Sequence, residues 1–74
     1  MKVKINNVPK FSHEYLVTDT KVEELNDGSV VRKYRLGISK QLIVTTTQEG
    51  VKNIEFNTGK KTVKLPDTWV EFLN

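Results

Sequence analysis

The 74-residue chain has no cysteine, no alanine, one histidine and one tryptophan. Without cysteine no disulfide can staple the fold and no thiolate can hold a metal. A single imidazole, His13, is too few for a nitrogen-rich zinc site, and no other residue set implies a cofactor. The missing alanine, the best helix former, argues against a helical bundle. No stretch approaches the ~20 apolar residues of a membrane span. Residues 1–7 lack the apolar core of a signal peptide, so the expected compartment is the cytoplasm. A chain this short buries only ~60% of the surface its unfolded form exposes. It must stand on packing alone or gain stability from a partner, and a homodimer is one such route.

What is present leans towards strand. Valine occurs ten times, threonine eight, isoleucine four and the aromatics six between them. These are the residues that suit a pleated, half-buried surface. Twelve Lys and Arg against nine Asp and Glu leave a net charge of +3 and a pI near 9.3. That balance permits binding to nucleic acid or to an acidic protein surface and requires neither.

Hydrophobic periodicity divides the chain into short strands. Val3 and Ile5 alternate with Lys2 and Lys4, and the first strand closes at Asn6-Asn7 and Pro9. Over 11–25, Phe11, Tyr15, Thr18, Val22 and Leu25 fall at helical spacing, and Ser12 could cap a helix. Val17-Thr18-Asp19-Thr20 are four poor helix formers, however, and Leu16, Thr18, Thr20 and Val22 would share one strand face, so a strand is preferred. Asn26-Asp27-Gly28-Ser29 is the clearest turn and should close a hairpin between 18–25 and 30–38. A two-residue loop would set Tyr34 opposite Lys21. A register moved by one puts Thr18, Thr20 and Val22 on the face of Tyr34, Leu36 and Ile38 instead. The apolar face decides the register, which predicts a three-residue loop with Gly28 in the left-handed conformation.

Ser39-Lys40-Gln41 makes the next connection, and Gly37 inside a strand suggests a bulge or a close backbone approach. The run 42–47 reads as a central strand. Glu49-Gly50 and Thr58-Gly59-Lys60 turn the chain around a strand with Ile54 and Phe56 inward. In the following strand Val63 and Leu65 point inward, while Thr62 and Lys64 point outward. Pro66, Asp67 and the Thr68/Glu71 spacing of a capping box predict a helix of about two turns. Its apolar face would be Trp69, Phe72 and Leu73. The expected fold is a single mainly β domain over residues 1–74. It is a small antiparallel rolled sheet or barrel of five to six strands with a short C-terminal helix.

No catalytic set is recognisable, and the chain is expected not to be an enzyme. His13 beside Glu14 is a common surface pairing, and no nucleophile stands near it in sequence. Glu23 and Glu24 point to opposite faces of a strand and would offset Arg32, Lys33 and Arg35 across the hairpin. The run Arg32-Lys33-Tyr34-Arg35 interleaves a ring with cations, as single-strand binders do, although alternation puts Tyr34 on the core side. Lys61 and Lys64 form a second basic set. If Lys33, Arg35 and Lys64 met on one sheet face they would make a phosphate-tracking stripe. Basic turns also protect sheet edges from aggregation. Trp69 and Phe72 are the candidate protein interface, with the competing reading that Trp69 is the lid of the core.

Residues 34–74, through Gly59-Lys60-Lys61-Thr62-Val63-Lys64-Leu65-Pro66 and then Trp69, Phe72 and Leu73, resemble the four-strand-and-helix unit of Pur-alpha-type single-stranded-nucleic-acid-binding proteins. The resemblance implies a topology and carries no functional residue across. Two function classes follow. The first is a small non-enzymatic protein-interaction module, such as a virus-, phage- or mobile-element-encoded inhibitor or assembly subunit. The alternative is a nucleic-acid-binding module using Arg32, Lys33, Arg35, Lys61 and Lys64 on single-stranded DNA or RNA. The first is placed ahead because a charge of +3 is low for a dedicated nucleic-acid binder.

Overall fold

The computed structural model describes residues 1–6 and 12–73. Pro9, Lys10 and Phe11 of the sequence reading lie outside those residues. Seven strands follow in chain order: β1 (Lys2–Ile5), β2 (His13–Glu24), β3 (Val30–Leu36), β4 (Lys40–Thr46), β5 (Lys52–Asn57), β6 (Thr62–Leu65) and β7 (Val70–Leu73). Every pairing is antiparallel, in the order β6-β5-β4-β3-β2-β1-β7. The sheet curls into a half-barrel.

Alternation selects the inner face. Val3, Ile5, Leu36, Leu42, Val44, Ile54, Phe56 and Leu65 are buried there, with Tyr34 beside them. Tyr15, Val17, Val63, Trp69 and Val70 pack around this cluster. The ring of Tyr15 on β2 lies 5.7 Å from that of Phe56 on β5, across two intervening strands in the ladder. Only a curled sheet brings those two positions together.

The region expected as a C-terminal helix is a single 3-10 turn, Asp67–Trp69, followed by β7. Pro66 stays extended at φ −62°, ψ 146°, and the turn has no side-chain cap, so the Thr68/Glu71 capping box does not form. Two helical turns would gain few hydrogen bonds against the cost of nucleation. As a strand the segment pairs with β1 from Ile5↔Val70 to Lys2↔Leu73. It also turns Val70 and Phe72 inward and Leu73 outward, so Trp69, Phe72 and Leu73 do not share one face. The extra strand raises the count from the expected five or six to seven. It also removes the helix on which the likeness to the Pur-alpha type rested.

β2 is a strand, as preferred from the sequence. Leu25 donates its N–H to the Ser29 carbonyl at 2.8 Å, and Gly28 donates to the Leu25 carbonyl at 3.1 Å. The loop is therefore the three residues Asn26-Asp27-Gly28, with Gly28 at φ +86°. Thr20 faces Tyr34 and Val22 faces Arg32, as the apolar-face argument required.

Further along, the register shifts at a bulge between Val17 and Asp19, so Val17 rather than Thr18 faces Leu36. Thr18 is the extra residue, and its hydroxyl donates to the Gly37 carbonyl at 3.1 Å. Leu16 consequently points outward, away from the face of Thr20 and Val22, and is 60% exposed. β3 ends at Leu36, and the turn is Gly37-Ile38-Ser39, not the Ser39-Lys40-Gln41 expected. Gly37 adopts φ +68° in that turn, and Ile38 is 98% exposed rather than inward beside Leu36.

Candidate functional site

The outer face of the sheet is built in cross-strand rows, because residues opposite one another point the same way. One row runs Lys21, Lys33, Ile43, Glu55, Lys64. The next runs Asp19, Arg35, Gln41, Asn57, Thr62. Three of the five cations singled out in the sequence, Lys33, Arg35 and Lys64, thus share a face. Arg32 lies on the opposite side with Tyr34, and Lys61 sits in the β5–β6 turn, where its carbonyl accepts the Thr58 N–H at 3.0 Å.

Sequence reasoning missed Lys21, which stands directly opposite Lys33. Lys21, Lys33, Arg35, Asp19 and Gln41 line a shallow depression open to solvent. Glu23 and Glu24 do not stand directly opposite these cations. They face Val31 and Val30, while Asp19 faces Arg35.

Acids interrupt the basic rows. Lys64 is three strands from Lys33, about 14 Å at the usual strand spacing, and Glu55 stands between them. That separation exceeds the ~10 Å screening length at 0.1 M salt. The side chains at the registered positions of these two rows include no aromatic ring on which a base could stack. Tyr15, Tyr34 and Phe56 all face the core.

Trp69 is half-buried against the core, and its carbonyl accepts the Asn6 N–H at 2.7 Å, tying the 3-10 turn to the end of β1. Phe72 is 45% exposed, with its ring 5.1 Å from that of Tyr34. Of the two candidate interface residues, Phe72 is the one presented to solvent.

A further feature is a backbone edge. β1 pairs with β2 from Ile5↔His13 to Lys2↔Leu16, and the last bond runs from the Val17 N–H to the Met1 carbonyl at 3.0 Å. Beyond Val17, β2 pairs only with β3 among the described residues. The bulge at Thr18 sits at that departure, where bulges commonly bend a strand and raise its twist. The Leu25–Ser29 bond sets the phase of the ladder. Asp19, Lys21 and Glu23 direct their main-chain groups at β3, and Thr20, Val22 and Glu24 direct theirs outward. In keeping with this, the Thr20 N–H donates to the carboxylate of Asp19 at 3.0 Å rather than to the ladder. No residue type marks this edge; it emerges from the register of β2 against β1 and β3.

Among the described residues two groups titrate away from their ordinary range. The Asp27 carboxylate accepts the Ser29 N–H at 2.9 Å, and this bond holds its pKa below the usual aspartate value. Burial raises the pKa of the Tyr15 phenol. Among the described residues no group of three or more His, Cys, Asp or Glu could hold a metal ion. Comparison with protein-family models, with curated proteins and with solved structures found no match to this chain.

Proposed function

We propose that the chain is a small non-enzymatic protein-interaction module that takes an added strand onto the open edge of β2. The observation that carries this reading is the outward phase of Thr20, Val22 and Glu24 on a stretch of β2 that pairs with β3 alone among the described residues. An exposed edge supplies a row of main-chain donors and acceptors, and strand addition uses them for affinity. Val22, 63% exposed, offers the side-chain contact, and Phe72 provides a second exposed apolar group on the inner side of the sheet. An inhibitor or an assembly subunit fits this mode.

Val22→Pro tests it. The Val22 N–H points away from β3, so proline there spares the hairpin ladder while removing an edge donor. Partner protein retained on the immobilised wild type and lost on Val22→Pro is the expected result. Equal retention on both would overturn the reading.

A second reading is favoured by one observation, the grouping of Lys21, Lys33 and Arg35 around a common depression. A nucleic-acid strand would lay phosphates there. Fluorescence anisotropy of labelled single-stranded DNA, duplex DNA and RNA at 50 and 200 mM salt decides it. Three or four phosphate contacts weaken binding roughly 20- to 150-fold across that range. Absence of binding at the lower salt ends the nucleic-acid reading.

A further inference from the structure

We infer that the strand received by the open edge of β2 is the same edge of a second copy of this chain, paired antiparallel about a two-fold axis through Val22. This rests on the strand-addition reading above and names its occupant.

Register decides the occupant. A two-fold edge contact is self-complementary, so each choice of centre dictates every opposing pair. Centred on Lys21, the contact would set lysine against lysine and Asp19 against Glu23. Centred on Glu23, it would set glutamate against glutamate. Centred on Thr20, it would need the bulged Thr18 opposite Val22, and Val17 next to it already donates to Met1. Centred on Val22, every term agrees. Val22 meets Val22, and Thr20 meets Glu24 on either side. All of these residues have outward main-chain groups. Three hydrogen-bonded pairs of two bonds each make six backbone hydrogen bonds, two of which form as the Thr20 N–H of each copy exchanges the Asp19 carboxylate for the Glu24 carbonyl of the other.

On the outer face the same register places Lys21 of each copy against Glu23 of the other. These are non-hydrogen-bonded positions, where opposing side chains stand closest, at roughly 4.5–5.5 Å between Cβ atoms. Lys21 otherwise faces Lys33, an unfavourable pairing within one chain that Glu23 of the second copy offsets. The Val22 side chain, 63% exposed in the single chain, is covered by its own copy. Two half-barrels joined in this way share one continuous sheet.

Sedimentation equilibrium at about 0.5 mM protein tests this. So high a concentration suits an interface made by one edge strand, well under the ~1,200 Å² of stable complexes. The expected result has four parts. Wild type shows twice the chain mass. Lys21→Glu alone and Glu23→Lys alone are shifted towards monomer, because each sets like charges opposite one another. The double variant Lys21→Glu/Glu23→Lys dimerises again. An equimolar mixture of the two single variants forms a mixed dimer.

A wild type that is monomeric throughout overturns the second-copy assignment. If Val22→Pro still loses a foreign partner in that case, the strand-addition reading survives it. Single variants that dimerise as well as wild type would also overturn the assignment. Each variant's far-UV spectrum and thermal transition are compared with wild type, so that unfolding is not read as dissociation.

Discussion

The ring of Tyr34, on β3, meets the ring of Phe72, on β7, with centroids 5.1 Å apart and planes tilted by 52°. In the ladder those strands are separated by β2 and β1, so the contact exists only because the sheet curls. Phe72 is 45% exposed, so its truncation loses part of a buried aromatic's worth. Phe72→Ala is expected to destabilise by about 1–2 kcal/mol, below the 3–5 kcal/mol of a fully buried ring. A double-mutant cycle with Tyr34→Leu, followed by urea unfolding, should give a coupling of about 0.5–1.5 kcal/mol. A coupling of zero would mean the two rings do not meet in solution.

Phe56 tells a different story, because it is 2% exposed and lies under Tyr15. Phe56→Ala should cost about 3–5 kcal/mol. A domain of this size holds a total on the order of 5 kcal/mol. The variant should therefore show no cooperative thermal transition above room temperature. Phe56→Leu, which keeps most of the volume, should fold with a lowered midpoint.

The loops give a paired prediction. A Cβ on Gly59 would stand 3.2 Å from the Ser39 carbonyl oxygen, at φ +92°. A Cβ on Gly28 would meet the Gln48 side chain at 3.1 Å, at φ +86°. Both Gly→Ala changes carry the left-handed penalty of about 1–2 kcal/mol. Gln48 can swing aside, whereas the Ser39 carbonyl belongs to the backbone of the neighbouring turn. Gly59→Ala is therefore the more destabilising of the two by chemical denaturation. The reverse order would contradict the packing of these turns.

Acid should loosen the β2–β3 turn. The folded pKa of Asp27 is depressed by its bond from the Ser29 N–H, so its contribution to stability is complete above the unfolded value. That contribution is lost as pH falls through the lower folded value. The Ser29 amide resonance, followed from pH 6 downwards, should move with a midpoint below the ordinary ~3.9 of aspartate. In Asp27→Ala this transition disappears. In Asp27→Asn the carbonyl oxygen still accepts the bond, and the turn no longer responds to acid.

Much of the fold was legible one segment at a time. The alternation of Val3 and Ile5, of Ile54 and Phe56, and of Val63 and Leu65 identified inward positions that are buried or half-buried. Asn26-Asp27-Gly28 announced a three-residue loop because glycine takes positive φ without steric cost. Two misreadings share a cause. Thr68 and Glu71 satisfied a local helix pattern, yet the segment had a free strand, β1, to pair with. Thr18 satisfied strand alternation, yet a bulge there reversed the facing of everything before it. In both places a longer-range pairing outweighed a local preference of a few tenths to about one kcal/mol.

The candidate site divides the same way. Residue types alone excluded a thiolate metal centre and located the cations. They could not bring Lys21 to Lys33 and Arg35, which takes the register of the first hairpin. Nor could they reveal the open edge of β2, where residues 19–24 pair with β3 alone among the described residues. Sequence by itself determined which residues prefer strands, which turn, and which seek the interior. Those preferences are set within a few residues by side-chain shape and polarity. Only the tertiary structure decided the curl of the sheet, the recruitment of β7 and the exposed edge. These depend on pairings between segments far apart in the chain, and no local preference encodes them.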